Sequence, residues 1–394
     1  MILVLNVGST SVKYELFDGQ MSVAEGAVTN VGEGETVISQ TVGGETAEEE
    51  TDIADHTAAI EAVLSRLTGE DAVALEEPGE IEAVGHRVVH GGPLSEPQLI
   101  DSAVVKTIER YASIAPLHNP ANLRGIEGAE AALPDLPHVA VFDTAFHETM
   151  PPKAYRYGLP NEYYKDHRIR RYGFHGISHE YVGEEAASML DQPFSESTLI
   201  TCHLGGGCSV AAIENGRSVD TSMGFSPLEG LLMATRAGDL DPAVVQYLVD
   251  EVGMDLDRVF DVLNHESGFA GLSGVSDDLR EVLEAAGAGD ERAELAVDVF
   301  VYRIVKYVGA YAAVLGDVDG LVFTAGIGEN APTIRKRVCT APGLGTELDD
   351  EANRAAIGER AIVSTADAEI PVLVVPTDEE LMIARETARV ADTA

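Results

Sequence analysis

Two arginines and two histidines stand beside glycine-rich stretches in a chain otherwise poor in cations. Arg87 lies in "GHRVVHGG", His175 in "RYGFHGISH", His203 in "CHLGGG" and Arg236 in "LMATRAGD". A structural ion pair accounts equally well for any one of these arginines. The set fits a polyanionic substrate better, because guanidinium forks match the oxygens of carboxylates and phosphates. Glycine turns supply the other half of such a site. "NVGSTS", "HLGGGCS" and "TAGIGEN" each follow an apolar strand-like run, and backbone N–H groups in such turns form anion-binding concavities. Gly8, Ser9, Thr10 and Ser11 also suit an ordinary tight turn. Three strand-ending glycine turns together point to nucleotide phosphates. Neither a G-x-x-x-x-G-K-[ST] phosphate loop nor a convincing dinucleotide fingerprint occurs.

"HRVVH" and "HGISH" each set two histidines four apart, but neither has the glutamate that follows the first histidine in zinc hydrolases, so zinc is disfavoured. In the second stretch a helix is expected to begin with Ser178 as its N-cap, leaving His175 on the preceding loop. Asp143 and Glu379, carboxylates following strand-like runs, suit a harder cation such as Mg²⁺ brought in with phosphates. Cys202 and His203 are neighbours on one predicted strand and face opposite ways, which excludes a nucleophile–base pair.

The elements that position these groups follow from hydrophobic period. "ILVL" and the alternating Val12, Tyr14 and Leu16 make a hairpin around Gly8–Ser11. "STLITCHLGGGCSVAAIENGRSVD" repeats that grammar, ending in an Asn-Gly hairpin turn. Two such units imply an internally duplicated α/β protein with a cleft between its halves. "HTAAIEAVLSRL" reads as a helix, "VAVFDTAFHETMP" as a buried strand ending at Asp143, and "DGLVFTAGIGENAP" as a strand entering a glycine turn. "IPVLVVPTDEELMIARETARV" is a strand, a Pro-Thr-Asp start and a helix. Residues 31–55 form an acidic, peripheral segment. "LAVDVFVYRIVKYVGAYAAVLG" is a buried helix rather than a membrane span, since Asp298, Arg303 and Lys306 interrupt it.

Composition narrows the class. A chain of 394 residues suits two domains. Its 67 acidic and 26 basic residues leave a formal charge of −41, which repels nucleic acid and anionic lipid. Such acidity in a chain that is 45% hydrophobic implies a folded protein suited to concentrated salt, where screening removes self-repulsion. No secretory signal opens the chain, and three cysteines without paired spacing suit a reducing cytoplasm.

Taken in order, "LNVGSTSVKYELFD", "GHRVVHGG", "PLHNPAN", "VFDTAFHETMP", "RRYGFHGISHEYV", "CHLGGGCSV", "DTSMGFSPLEGLLMATRAGDLDP", "ESGFAGLSGVSDDLR", "AGIGENAP" and "PTDEE" resemble the acetate kinases. That group lies within the sugar-kinase, heat-shock and actin superfamily. The resemblance runs nearly end to end. It implies an α/β fold of two ribonuclease-H-like (actin-like ATPase) domains with a catalytic cleft between them. One would span residues 1–147, completed by 380–394; the other, residues 148–379, would bind nucleotide and form a homodimer. It further implies reversible in-line transfer of the ATP γ-phosphoryl group to acetate, giving acetyl phosphate and ADP, with Mg²⁺ as cofactor.

Carried over by position, Arg87, Asp143, His175 and Arg236 are the catalytic set. Arg87 with Val89, Leu117, Phe174 and Pro227 would hold the acyl substrate. Asn6, Ser9, Ser11 and Lys13 would lie by the phosphates, as would His203, Gly205, Gly206 and Gly207. Asp278, Leu279 and Arg280, with Gly326, Ile327, Gly328, Glu329 and Asn330, would flank the nucleotide. Asn6, Asp143 and Glu379 would serve the metal. Two departures stand out. The family's H-L-G-N-G reads "HLGGG" here, with Gly206 in place of an amide, and Leu279 stands where a phenylalanine is usual. The rival readings are a propionate or butyrate kinase, a pyrophosphate-using variant, and a non-catalytic nucleotide-binding member.

Overall fold

In the computed structural model, which describes residues 1–68, 74–116 and 118–393, the opening run ILVLNV forms strand β1 (Ile2–Val7). β2 (Ser11–Asp18) returns antiparallel, with Val7 opposite Val12. Its buried Val12, Tyr14 and Leu16 alternate with Lys13 and Glu15, as a strand with one packed face requires. β3 (Met21–Thr29), β4 (Thr36–Val42) and β5 (Glu45–Thr51) extend the sheet by antiparallel pairing. On its other side β1 pairs in parallel with β6 (Ala83–Val88). β7 (Gln98–Leu99) and β8 (His138–Phe142) complete the sheet, with β8 parallel to β6 and β7 antiparallel at the edge. Leu3, Leu5, Val12 and Val28 pack with Ile60 and Val63 of the helix His56–Leu67 and Ala129 of the helix Asn119–Ala132. Full burial of each such aliphatic side chain is worth about 1.5–3 kcal/mol.

The second sheet contains β9 (Thr198–Leu204), β10 (Cys208–Glu214), β11 (Arg217–Thr221), β12 (Gly320–Thr324), β13 (Ala361–Ile362) and β14 (Val372–Val374). Among the described residues the strand orders are β5-β4-β3-β2-β1-β6-β8-β7 and β11-β10-β9-β12-β14-β13. A shared plan runs through both: β3-β2-β1-β6-β8 and β11-β10-β9-β12-β14 each join an antiparallel meander to parallel strands. This is the internal duplication that the two hairpins imply.

The chain divides into two compact units, Met1–Glu148 with the C-terminal segment from Asp378, and Thr149–Thr377. Asp378 and Glu379 thus group with the first unit, not with residues 148–379. The reason is local: Asp378 caps the helix Glu379–Ala391, which packs on β1, β6 and β8.

Three local expectations change, and the peripheral acidic segment gains detail. The helix after "GFH" is Gly176–Met189, starting before Ser178, because His175 takes a left-handed turn (φ 59°) directly ahead of it. Ser178 lies inside the helix, its hydroxyl bonded to His203 and Thr377. "AGIGEN" is a short helix, Ala325–Asn330, rather than a turn. Within the acidic segment 31–55, β4 and β5 form a hairpin whose outer strand is exposed. The helix Glu291–Leu315 is buried on one face only; Leu295, Tyr302 and Val314 are exposed on the other. No helix among the described residues is long and apolar enough to cross a membrane.

Candidate active site

Arg87 sits near the end of β6, and Asp143 follows β8, its N–H donating to the Val88 carbonyl. Parallel pairing of β6 and β8 brings the two side chains together. Arg87 Nε and Nη2 donate to Asp143 Oδ1 and Oδ2 at 3.2 and 2.8 Å, a bidentate fork. Glu379, the first residue of the C-terminal helix, adds a carboxylate oxygen 3.5 Å from Arg87 Nε. Asp143 is 2% exposed. Burial pushes its carboxyl above the ordinary range; Arg87 opposes that shift and Glu379 reinforces it. Burial acts on the Arg87 guanidinium too, but the two carboxylates outweigh it and keep the group charged.

Asn6, on β1 opposite Lys13, makes no side-chain hydrogen bond among the described residues. The same holds for Ser9, Ser11 and Lys13. The turn is closed by Gly8 N–H donating to the Ser11 carbonyl at 2.8 Å. Val89 is buried in this unit, with its N–H on Asn122 Oδ1. Leu117 lies outside the described residues.

In the second unit the Gly205–Gly207 loop joins β9 to β10. A Cβ built on Gly207 would lie 3.2 Å from His175 Cε1, 3.3 Å from its Nε2 and 3.8 Å from Arg236 Nη1. The imidazole and the guanidinium therefore converge on the bare face of that glycine. His203 stacks on His175 with ring centroids 4.1 Å apart. Arg236 donates to the Pro227 carbonyl at 3.3 Å and approaches Met233 Sδ, and no carboxylate pairs with it among the described residues. Burial pulls its pKa down, the shift expected of a cation short of negative charge. Phe174 is buried in the same unit.

A cavity of about 490 Å³ opens beside this loop. Gly205 and Gly206 line one wall, Leu279 and Arg280 another, and Gly326, Ile327 and Asn330 a third. Asp278 also lines it while capping the helix Leu279–Gly287 and pairing with Arg280. The remaining predicted nucleotide residues lie elsewhere. His203 and Gly207 belong with His175, the Gly328 carbonyl accepts from Arg335, and Glu329 Oε1 accepts from the Thr377 N–H at 3.1 Å.

Several supporting residues escape a motif reading. Phe269 and Leu283 add apolar walls to the cavity; Leu283 follows Leu279 by one helical turn, which was the available signal. Arg335 is fully buried and donates to the carbonyls of Gly328, Glu329, Asn353 and Ala356 and to Asn353 Oδ1, anchoring the Ala325–Asn330 helix. Arg171 Nη1 collects the carbonyls of Thr221, Ser222 and Met223, and its Nη2 meets Glu229 at 2.5 Å. Tyr157 bonds both Glu229 and the Phe225 N–H, which fixes the loop that carries Pro227. The doubled arginine of "IRRYGFHG" was the only hint.

The description of the acetokinase family matches residues 1–385. An acetate kinase of Halothermothrix orenii is 51% identical across 100% of both chains, and one of Symbiobacterium thermophilum is 52% identical across 98% of both. Among solved structures, the acetate kinase of Porphyromonas gingivalis superposes with a TM-score of 0.94 at 44% identity, covering 99% of each chain. A propionate kinase from Francisella tularensis gives 0.93 at 39% identity, again over 99% of each.

Proposed function

The chain belongs to the acetokinase family, and from that membership we propose how its residues divide the work of an ATP:acetate phosphotransferase with the two-domain actin-like ATPase fold. The reaction moves the γ-phosphoryl group of ATP to acetate and back, giving acetyl phosphate and ADP. Acetate is already ionised at neutral pH, so no protein nucleophile is needed. Positioning and charge neutralisation carry the catalysis.

One observation carries the assignment of residues: His175 Nε2 and the carboxylate-free Arg236 guanidinium converge beside Gly207, next to a cavity of nucleoside size. Arg236 would hold the phosphoryl group in flight, with His175 donating a hydrogen bond to its oxygens. Pro227 and Phe174 would wall the methyl group, with Val89 and Leu117. The cavity would take the nucleoside, and the Gly206 and Gly207 N–H groups and the Ser9, Ser11 and Lys13 side chains would face the phosphates, the Gly205 N–H being taken by the Gly207 carbonyl. Leu279 supplies apolar contact where a phenylalanine is usual.

Mg²⁺ would suit the first unit. Two carboxylates share one guanidinium there, and burial holds Asp143 above its ordinary range, so the cluster is short of positive charge. Asp143 and Glu379, with Asn6, would hold the cation, which supplies neutralisation of phosphate charge. The domain assignment then takes the bounds of the two compact units: residues 1–148 with 378–394 as one domain, 149–377 as the other. The second would also form a homodimer, because helix Pro242–Asp250 buries none of its residues and exposes Val244 and Tyr247, with Leu256 and Phe260 exposed nearby in sequence. Sedimentation of the purified chain tests that.

A cytoplasmic site suits the three buried, unpaired cysteines. Working in concentrated salt suits the charge of −41, and the melting temperature should rise steeply with KCl as the Debye length falls from about 30 Å at 0.01 M to about 3 Å at 1 M. A flat or falling trend would remove that reading. A coupled assay with acetate, propionate and butyrate, run with ATP and then pyrophosphate, tests the function itself. Preference for acetate and ATP is expected. Equal use of propionate would favour the rival on the same scaffold.

A further inference from the structure

Behind His175 runs a line of side chains outside the anion site. His175 Nδ1 lies 2.9 Å from Ser209 Oγ, Ser209 Oγ lies 2.7 Å from His179 Nε2, and His179 Nδ1 lies 2.7 Å from Thr201 Oγ1. His179, Ser209 and Thr201 are fully buried. Their meeting follows from local geometry. His175 and His179 are one helical turn apart. Thr201 faces Ala211 across β9 and β10, which makes Ser209 its diagonal neighbour on the same face.

Counting hydrogens gives the line a direction. Thr201 Oγ1 has no partner except His179 among the described residues, and a buried hydroxyl that donates to nothing is costly. Its hydrogen therefore goes to His179 Nδ1. A neutral imidazole that accepts at one nitrogen donates from the other, so His179 donates from Nε2 to Ser209 Oγ. Among the described residues Ser209 Oγ has only the two histidines as partners, which leaves its own hydrogen for His175 Nδ1. His175 then carries its proton on Nε2, the nitrogen beside Gly207 and Arg236.

Resting on the role given to His175 above, we propose that Thr201, His179 and Ser209 are positioning residues. They form a one-way hydrogen-bond line that holds His175 neutral, with an N–H aimed at the phosphoryl oxygens. The opposite tautomer would present a lone pair to the same anion, and stacking on His203 keeps the ring in plane.

Thr201→Val is nearly isosteric and lies at the far end of the line, while Thr201→Ser keeps the hydroxyl. Nitrogen-15 NMR of the histidine rings in the full chain reads the tautomer of His175 without any substrate. The proton should sit on Nε2 in the wild type and in Thr201→Ser. In Thr201→Val the tautomers should mix, and kcat should fall by about three- to tenfold with KM for acetate and ATP unchanged, as loss of one neutral hydrogen bond implies. Should Thr201→Val not fold, Ser209→Ala breaks the line at its other end with the same expected shift. A wild-type proton on Nδ1, or a folded Thr201→Val with an unaltered tautomer, would overturn the proposal. A tautomer that moves with Thr201 beside a fully active His175→Ala would instead overturn the role of His175 and leave the line standing.

Discussion

Arg87 in the first unit engages two carboxylates, Asp143 and Glu379, while Arg236 in the second reaches, among the described residues, a carbonyl and a thioether. Both stand close to glycine-rich stretches, and from sequence they look alike. In a chain with 67 acidic residues, an arginine left without a carboxylate is the exception that needs an anion to complete it. An arginine shared by two carboxylates is the reverse: a cluster that still has room for a cation. On the proposed division of labour, the first unit would serve a metal and the second a phosphoryl group.

Truncating each arginine separates the two. Arg236→Ala should leave a folded protein of normal melting temperature with kcat lowered roughly 10²–10⁴-fold, the range of arginine contributions to phosphoryl transfer. Near-normal turnover would remove its assigned role. Arg87→Ala should lose activity to a similar degree, but also stability. Asp143 and Glu379 would then face each other without a cation, a loss of about 3–5 kcal/mol for a broken buried pair. Added Mg²⁺ should restore much of that melting temperature, whereas Arg236→Ala should show no such rescue. Identical melting behaviour in both variants would contradict the contrast.

Two neighbouring glycines sharpen the picture of the second unit. A Cβ at Gly207 would press on the His175 ring at 3.2 Å, so Gly207→Ala should lower kcat by about tenfold, as a displaced positioning group does. Nothing lies within 4 Å of a Cβ at Gly206. Gly206→Asn should therefore fold normally and lower the KM for ATP by a few-fold, about what one added neutral hydrogen bond gives. Unchanged or poorer ATP use would mean that the backbone turn already suffices.

The smallest effect belongs to the acid-rich first unit. Burial pushes Glu15 up to about 7; a hydrogen bond from Ser22 opposes this, and the charges of Asp378, Glu380 and Glu25 add to it. The folded chain thus keeps a proton that the unfolded chain gives up. Stability should fall as pH rises from the ordinary carboxylate range to about 7, then level off. Glu15→Gln should raise the melting temperature at about pH 8 and leave it unchanged at about pH 4. A gain at the lower pH instead would reverse the sign and exclude this cause.

Legibility in the sequence tracked local chemistry. The hairpins at Gly8 and Gly205 were readable because period-two alternation and glycine turns are local signals. The residues lining the cavity were readable only through resemblance, since Asp278, Gly326 and Gly205 meet through folding across more than a hundred positions. Ser178 misled because an N-cap signature says nothing about the left-handed turn at His175 that starts the helix sooner. Arg171 and Arg335 were invisible in their roles, because most of what each guanidinium gathers is backbone carbonyls, which no residue type in the sequence betrays. The difference between Arg87 and Arg236 was hidden because Asp143 and Glu379 reach Arg87 only through the fold.

That difference is tested most directly by the affinity for ADP, acetate and aluminium fluoride together, a mimic of the phosphoryl group in flight, measured by calorimetry on the wild type and on Arg236→Ala. The account predicts that the mimic complex weakens by at least about 100-fold in Arg236→Ala while ADP alone binds as before, because the guanidinium acts on the transition state. Equal affinity of the two proteins for the mimic would contradict it.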